Sequence, residues 1–429
     1  MARKRRYDVI VIGSGPGGLA AAVGAKQAGA QDVLVVERDA ELGGILLQCI
    51  HHGFGIEILK QDLPGPAYAQ HWAEQAQALG VDTLLDTMVL EVTPTQQVIT
   101  TSRDGLREWG ARAVVLAMGC RERTRAQIRL PGARPAGVYT AGTAQRFVNV
   151  EGFLPGRRFV ILGSGDIGMI MARRLTLEGA EVVRVLEIMP YLTGLMRNYV
   201  QCLLDFDIAL QLSHTVGRII GRRRVEAVEA VRVDERWRPV PGSEELIPCD
   251  TLLLSVGLIP ENELSRRAGV ALDPATGGPF VDEGFQTSIP GIFAAGNVVH
   301  VYDLVDWATE AGLIAGRRAA RFALTGPGRA SQVVRLEPGT NVRYVVPHYL
   351  DPEALAEGPL RLQLRVRQPI EQPVWVEVRA GEQLVARHGE RYARPGEMVS
   401  LLLNPRDYPA VRAARELRVN VVEREGSHA

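Results

Sequence analysis

Lysine is scarce in this chain: Lys4, Lys26 and Lys60 are the only ones, and arginine supplies the rest of the 49 basic residues. An equal number of acidic residues brings the formal net charge to zero. That balance removes the electrostatic case for nucleic acid or an anionic membrane as partner. No run of about eighteen apolar residues is present to span a bilayer. Arg3-Lys4-Arg5-Arg6 looks like the start of a signal peptide, but a strand and a glycine loop follow it, not a cleavable apolar segment. The expected location is therefore the cytoplasm. Cysteine is scarce too. Cys49, Cys120, Cys202 and Cys249 stand far apart, with no C-x-x-C pair and no histidine at zinc spacing. This pattern fits a reducing compartment, implies no metal site, and excludes a dithiol relay within the chain.

What is present in quantity is glycine, at the ends of β-branched runs. Asp8-Val9-Ile10-Val11-Ile12 leads into Gly13-Ser14-Gly15-Pro16-Gly17-Gly18, and an Ala-rich helical stretch follows from Leu19 to Ala30. Strand, G-x-G-x-x-G, helix is the order that a dinucleotide fingerprint requires. Gly13 suits the tight turn, Gly15 lets backbone N–H groups approach a pyrophosphate, and Gly18 lets helix and strand pack closely. The positive helix end then faces the phosphates. The acid expected roughly twenty residues on is Glu37, followed by Arg38, at the end of the strand Val33-Leu34-Val35-Val36. Its carboxylate is suited to accept both hydroxyls of an unphosphorylated ribose. Alone, the glycine pattern would equally describe an ordinary strand-to-helix turn.

The loop after Glu37 carries Gly43-Gly44 and then Cys49, Ile50, His51 and His52. A thiol and imidazoles in one short loop make Cys49 and His51 candidates for chemistry. A period-two region from Thr87 to Gly110, containing Val89, reads as a small β-meander. It leads to a buried strand from Ala113 that ends at Ala117-Met118-Gly119. Three arginines in Cys120-Arg121-Glu122-Arg123-Thr124-Arg125 either clamp a phosphate or form a solvated linker.

The pattern then repeats. Phe159 to Leu162 reads as a strand, Gly163-Ser164-Gly165-Asp166-Ile167-Gly168 is a second full fingerprint, and Glu187 closes the next strand as Glu37 does. Two fingerprints in register, each with its acid, make an accidental match implausible. The acid at Glu187 disfavours a 2′-phosphate and predicts NADH over NADPH. Arg222-Arg223-Arg224 beside Gly221 reads as a hairpin turn, and Val256-Gly257 ends the unit's last strand. Further on, Ile292-Phe293-Ala294-Ala295-Gly296-Asn297 is a short strand ending at a polar residue able to bond a sugar-like chain. The helical stretch from Asp306 holds Ala308, Ala311 and Gly312, small enough to approach a ring, and its start should aim N–H groups at a reduced flavin. After Gly326-Pro327-Gly328 the pattern turns to period two, as in Leu360 to Val366, and predicts a small all-β sandwich.

Gly13-x-Gly15-x-x-Gly18, Glu37, Gly43-Gly44, Gly119, Gly163-x-Gly165-x-x-Gly168 and Gly291 to Asn297 resemble the two-dinucleotide flavoproteins typified by thioredoxin and glutathione reductases. The resemblance implies an α/β fold with two Rossmann-like domains, one inserted in the other, plus the C-terminal all-β domain. FAD is then expected in residues 1–125 with 282–326, NAD(H) in 126–281, and an accessory role for 330–429. The implied FAD contacts are Gly13 to Gly18, Glu37, Arg38, Gly43, Gly44, Val89, Ala117 to Gly119, Gly296, Asn297 and Ala308. Those for NAD(H) are Gly163 to Gly168, Glu187, Val256 and Gly257. The family's closing motif normally ends in Asp where this chain has Asn297, whose amide can still bond ribityl hydroxyls. The segments Glu41 to His51, Met118 to Arg123, Glu187 to Pro190 and Val256 to Asn262 look like the FAD/NAD oxidoreductases associated with anaerobic glycerol-3-phosphate dehydrogenase. More distantly they resemble the α-subunits of opine oxidase, hydrogen cyanide synthase and dye-linked proline dehydrogenase. That branch implies an oligomer that relays electrons to or from a glycerol-3-phosphate dehydrogenase-type flavoprotein, with a small Cys-rich electron-transfer component. Two other readings stand beside it. One is a self-contained NADH oxidase or peroxidase cycling Cys49 through a sulfenic acid; the other is a nucleotide-binding structural or regulatory subunit without hydride transfer.

Overall fold

Each glycine fingerprint opens its own parallel sheet. The computed structural model describes residues 6–328 and 332–424. The basic start at residues 3–5 and the two ends of the expected 330–429 segment lie outside the described residues. The chain divides into two units, Met1–Cys120 with Pro260–Ala429, and Arg121–Ile259.

In the first unit, Arg6–Ile12 pairs in parallel with Val33–Val36 on one side and with Gly105–Leu116 on the other. Val9, Ile10 and Val11 are fully buried, as are the neighbouring Val33 to Val36. A strand covered on both faces must be apolar throughout, so the run does not alternate. Burying each such side chain contributes about 1.5–3 kcal/mol. The meander Met88–Val92, Gln97–Ser102 and Gly105–Leu116 is antiparallel, as its alternation suggests. Its last strand is continuous: the half near Gly105 belongs to the meander, and the half ending at Leu116 belongs to the parallel sheet. Ile292–Ala294 pairs in parallel with that same half.

The second unit has a five-stranded sheet in the order Leu210–Leu212, Glu181–Glu187, Arg158–Leu162, Thr251–Leu254, Val138–Thr140. All four pairings are parallel. A three-stranded antiparallel sheet holds the hairpin region, in the order His214–Ile220, Ala227–Arg232, Glu245–Pro248.

Two expectations need correction. Residues 260–281 pack with the first unit rather than with the inserted one. Asn262, fully buried, donates its amide to Gly277 O and Val298 O and so fastens this stretch to the segment after Gly296. Conversely, residues 121–125 belong to the second unit, where Arg123 N–H bonds Gly257 O. The C-terminal segment is the expected β domain, two sheets around one core, with short helices at Glu353–Glu357 and Tyr408–Ala413 between its strands. It is joined to the rest of the first unit by buried polar contacts. His348 Nδ1 accepts from Val281 N–H, which leaves Nε2 to donate to Asp273 at 3.4 Å, and Arg365 pairs with Asp303.

No helix among the described residues is long and apolar enough to cross a membrane.

Candidate functional site

The first glycine turn lies where three parallel strands end together. Gly13 follows Arg6–Ile12, Ala117 follows Gly105–Leu116, and Ala295 follows Ile292–Ala294. The carboxyl end of such a sheet is where open α/β folds bind ligands. Gly13 has φ +96°, and a Cβ there would sit 2.5 Å from Ala117 O. At Gly18 it would sit 1.9 Å from Gly13 O, so both positions require glycine for chain packing. Gly15 is different: nothing lies within 4 Å of its added Cβ. The helix Pro16–Gln27 starts there with no side-chain cap and no acid in its first turn. Open space at uncapped helical N–H groups fits a pyrophosphate.

Glu37 closes the site from the next strand. It is 6% exposed, and its Oε2 accepts from Ser14 N–H at 2.8 Å and Ser14 Oγ at 2.6 Å. Its Oε1 accepts from Asp39 N–H at 2.9 Å. Gly43 N–H in turn donates to Ser14 Oγ at 3.2 Å, which brings Gly44 over Gly15. Arg38 is exposed beside Glu37. Val89 is buried in Met88–Val92, two residues beyond Thr87, whose N–H bonds Glu37 O.

The second unit repeats this arrangement. Gly163 has φ +100°, Gly168 packs on Ser255, and Glu187 accepts from Ser164 N–H at 2.8 Å and Ser164 Oγ at 2.7 Å. Ser14 to Glu37 and Ser164 to Glu187 are both 23 residues apart. Met189 N–H donates to Glu187 Oε1 at 2.9 Å, as Asp39 N–H does to Glu37. Two features have no counterpart in the first unit. Thr193 Oγ1 adds a further bond to Glu187 Oε2 at 2.8 Å. Asp166, the first helical residue of Asp166–Leu177, accepts from Leu195 N–H and Asn198 Nδ2. Val256 and Gly257 follow Thr251–Leu254, with Gly257 at φ +99°.

The closing motif returns to the first turn: an added Cβ on Gly17 would lie 3.4 Å from Gly296 Cα. Asn297 Oδ1 accepts from Tyr302 N–H at 3.1 Å, so its amide nitrogen is the end that points to Cys120 Sγ, 3.5 Å away. Met118 and Gly119 lie between Ala117 and that thiol, and nothing is within 4 Å of an added Cβ on Gly119.

Other candidates fare differently. Ala308 is buried with its carbonyl close to Gly17, while Gly312 and Gly316 press against Gly17 O and Ala21 O. Gly312 and Gly316 of the helix Val305–Thr325 thus serve the crossing with Pro16–Gln27. The first turn of Val305–Thr325 holds its own acid, because buried Asp306 accepts from Glu57 N–H, Ile58 N–H and Tyr68 Oη. Cys49 is half-buried, with its Cβ against Gly65, and its thiol donates to Ile45 O at 3.3 Å. Burial pushes that thiol up to about 12. An activated nucleophile or sulfenic-acid cysteine needs the opposite shift. His51 turns Nδ1 to His52 O and stacks on Phe54, within its own loop. The arginines also divide: Arg125 donates to Leu130 O and Gly132 O, and Arg224 to Asp250 O, as backbone braces. The sequence reading missed Thr193, Ser255 and Asp306. Only Thr193 left a usable signal, since it follows Ser164 by the 29 residues that separate Gly43 from Ser14.

Residues 7–312 match the family described as pyridine nucleotide-disulphide oxidoreductase. One of the opine oxidase subunits of Agrobacterium tumefaciens is 28% identical over 74% of this chain, which spans 65% of that protein's length. Hydrogen cyanide synthase subunit HcnB of Pseudomonas protegens is 24% identical, over 76% of this chain and 72% of that one. In fold, the chain is similar to T. acidophilum thioredoxin reductase, with a TM-score of 0.62 at 23% identity over 75% of this chain and 100% of the other. With that family match across both glycine turns, the chain belongs to the pyridine nucleotide-disulphide oxidoreductases and is an FAD- and NAD(P)H-dependent oxidoreductase.

Proposed function

We propose that the Gly13 unit holds FAD and the Gly163 unit holds NAD(H), and that the chain passes a hydride between them and exchanges the electrons with a partner protein. The duplicated network Ser14–Glu37 and Ser164–Glu187 carries this reading, because it sets the same acid against the same glycine turn in two parallel sheets. The bound flavin and nicotinamide supply the redox chemistry. The protein's own residues bind and orient. Gly15 leaves room for a pyrophosphate, the uncapped start of Pro16–Gln27 offers it N–H groups, and Glu37 and Glu187 face the ribose positions. No side-chain acid or base is needed. The negative charge at Glu187 favours NADH over a 2′-phosphorylated nucleotide.

The sequence holds no closely spaced cysteine pair to carry electrons out of the chain. The Cys49 thiol, protonated up to about pH 12, does not fit a sulfenic-acid cycle. An outside acceptor fits better, and two of the relatives are named as subunits. Sequence resemblance suggests a glycerol-3-phosphate dehydrogenase-type flavoprotein and a small Cys-rich component as that acceptor. The test is an anaerobic titration of the purified yellow protein with NADH and with NADPH, following visible absorbance. NADH should bleach the flavin within the mixing time, and NADPH should not. Tight NADH binding without bleaching would instead make the chain a nucleotide-binding subunit.

A further inference from the structure

Glu187 carries one hydrogen bond more than Glu37, and Thr193 is its source. Ser164 N–H, Ser164 Oγ and Thr193 Oγ1 all donate to Oε2, at 2.8, 2.7 and 2.8 Å. Each hydroxyl has a single proton, so the 3.1 Å approach of the Ser164 and Thr193 oxygens is a contact and not a further bond. The backbone N–H of Thr193 donates to Ser164 Oγ at 3.1 Å, which closes a ring of three residues. A carboxylate oxygen offers about two acceptor positions. Oε2 is therefore saturated, and Oε1, with Met189 N–H at 2.9 Å, keeps one opening. In the first unit Gly43 stands in the place of Thr193 and has no hydroxyl, so Glu37 Oε2 receives only the two Ser14 bonds.

We propose that Thr193 is a positioning residue for nucleotide selection in the second unit. It locks Glu187 through Oε2, so that the carboxylate meets the adenosine ribose through Oε1 alone, with its charge fixed where a 2′-phosphate would lie. The inference rests on reading this unit as the NAD(H) site. Only the hydroxyl at residue 193 does this work, so the γ-methyl group is dispensable.

The test is calorimetric titration of the FAD-loaded protein with ADP-ribose and with 2′-phospho-ADP-ribose, neither of which can be reduced. Thr193→Val should weaken ADP-ribose binding about three- to tenfold, consistent with loss of one hydrogen bond to a charged group. It should also narrow the preference over the 2′-phosphorylated ligand, and Thr193→Ser should restore both. In steady state, Thr193→Val should raise KM for NADH and leave kcat unchanged. Thr193→Ala, read beside a melting curve, covers the case in which the valine variant does not fold. Unchanged or tighter ADP-ribose binding in folded Thr193→Val or Thr193→Ala overturns the inference and leaves the NAD(H) reading intact. If the unsubstituted protein itself does not bind ADP-ribose, the NAD(H) reading falls and the inference falls with it.

Discussion

The two glycine turns share spacing, strand order and acid, yet they treat an anionic ligand differently. The first helix begins with Pro16 and no acid in its first turn, whereas the second begins with Asp166. Over the first turn lies Gly43-Gly44, two glycines with φ +125° and +56°, while the second is crossed by Thr193-Gly194, fastened by side chains to Ser164 and Glu187. A negative group at a helix start opposes a bound phosphate by about 0.3–1 kcal/mol. If the proposed assignment holds, FAD in the first unit meets no acid at its helix start, and NAD(H) in the second meets Asp166.

The largest effect that would sharpen this contrast is steric. Gly18→Ala puts a Cβ 1.9 Å from the backbone oxygen of Gly13, whereas Gly168→Ala first meets the Ser255 side chain at 2.6 Å. Gly18→Ala should cost about 3 kcal/mol or more and release the flavin, while Gly168→Ala should cost about 1–2 kcal/mol. Urea unfolding and retained flavin absorbance measure both, and equal costs would break the comparison. Next is Glu187→Gln, whose amide nitrogen faces donors on either oxygen position. Its preference for NADH over NADPH should fall by about tenfold, the scale of one charge-assisted hydrogen bond, with flavin content unchanged. Loss of flavin in that variant would mean that the two sites are assigned the wrong way round.

A smaller effect tests the charge at the second helix start. Asp166→Asn keeps an oxygen for Leu195 N–H and Asn198 while removing the charge, so NADH should bind about two- to fivefold tighter. Weaker binding would show that Asp166 serves the nucleotide directly. The smallest effect is expected at Cys49, which ends the short helix Gly44–Gln48. A thiol raised to about 12 by burial stays protonated until the pH rises toward that value. At pH 8 iodoacetamide should label Cys49 at least about a hundredfold more slowly than a free thiol, and Cys49→Ser should leave flavin bleaching by NADH within about twofold. Loss of bleaching would revive the thiol mechanism.

Much of this was legible in the residues themselves. Gly13, Gly15 and Gly18, their counterparts at 163, 165 and 168, and the acids Glu37 and Glu187 follow from local spacing. Strand, turn, helix and next strand are contiguous in the chain, and an α/β crossover of this kind has few ways to close. The smallness of Gly312 was legible as well, but its purpose was not. A small residue serves a ring or another helix equally well, and only the arrival of Pro16–Gln27 decides between them.

By itself, then, the sequence determined the two dinucleotide folds, the acid in each, and the absence of a dithiol. Those properties depend on residue type and on spacing within one strand–helix–strand unit. Tertiary structure decided the rest: that residues 260–281 return to the first unit, that the Cys49 thiol is pushed up rather than activated, and that Thr193 completes the shell of Glu187. Each of these depends on burial, or on a partner brought close by the fold from a distant part of the chain. Local pattern carries no record of desolvation or of which hydroxyl will point at which oxygen.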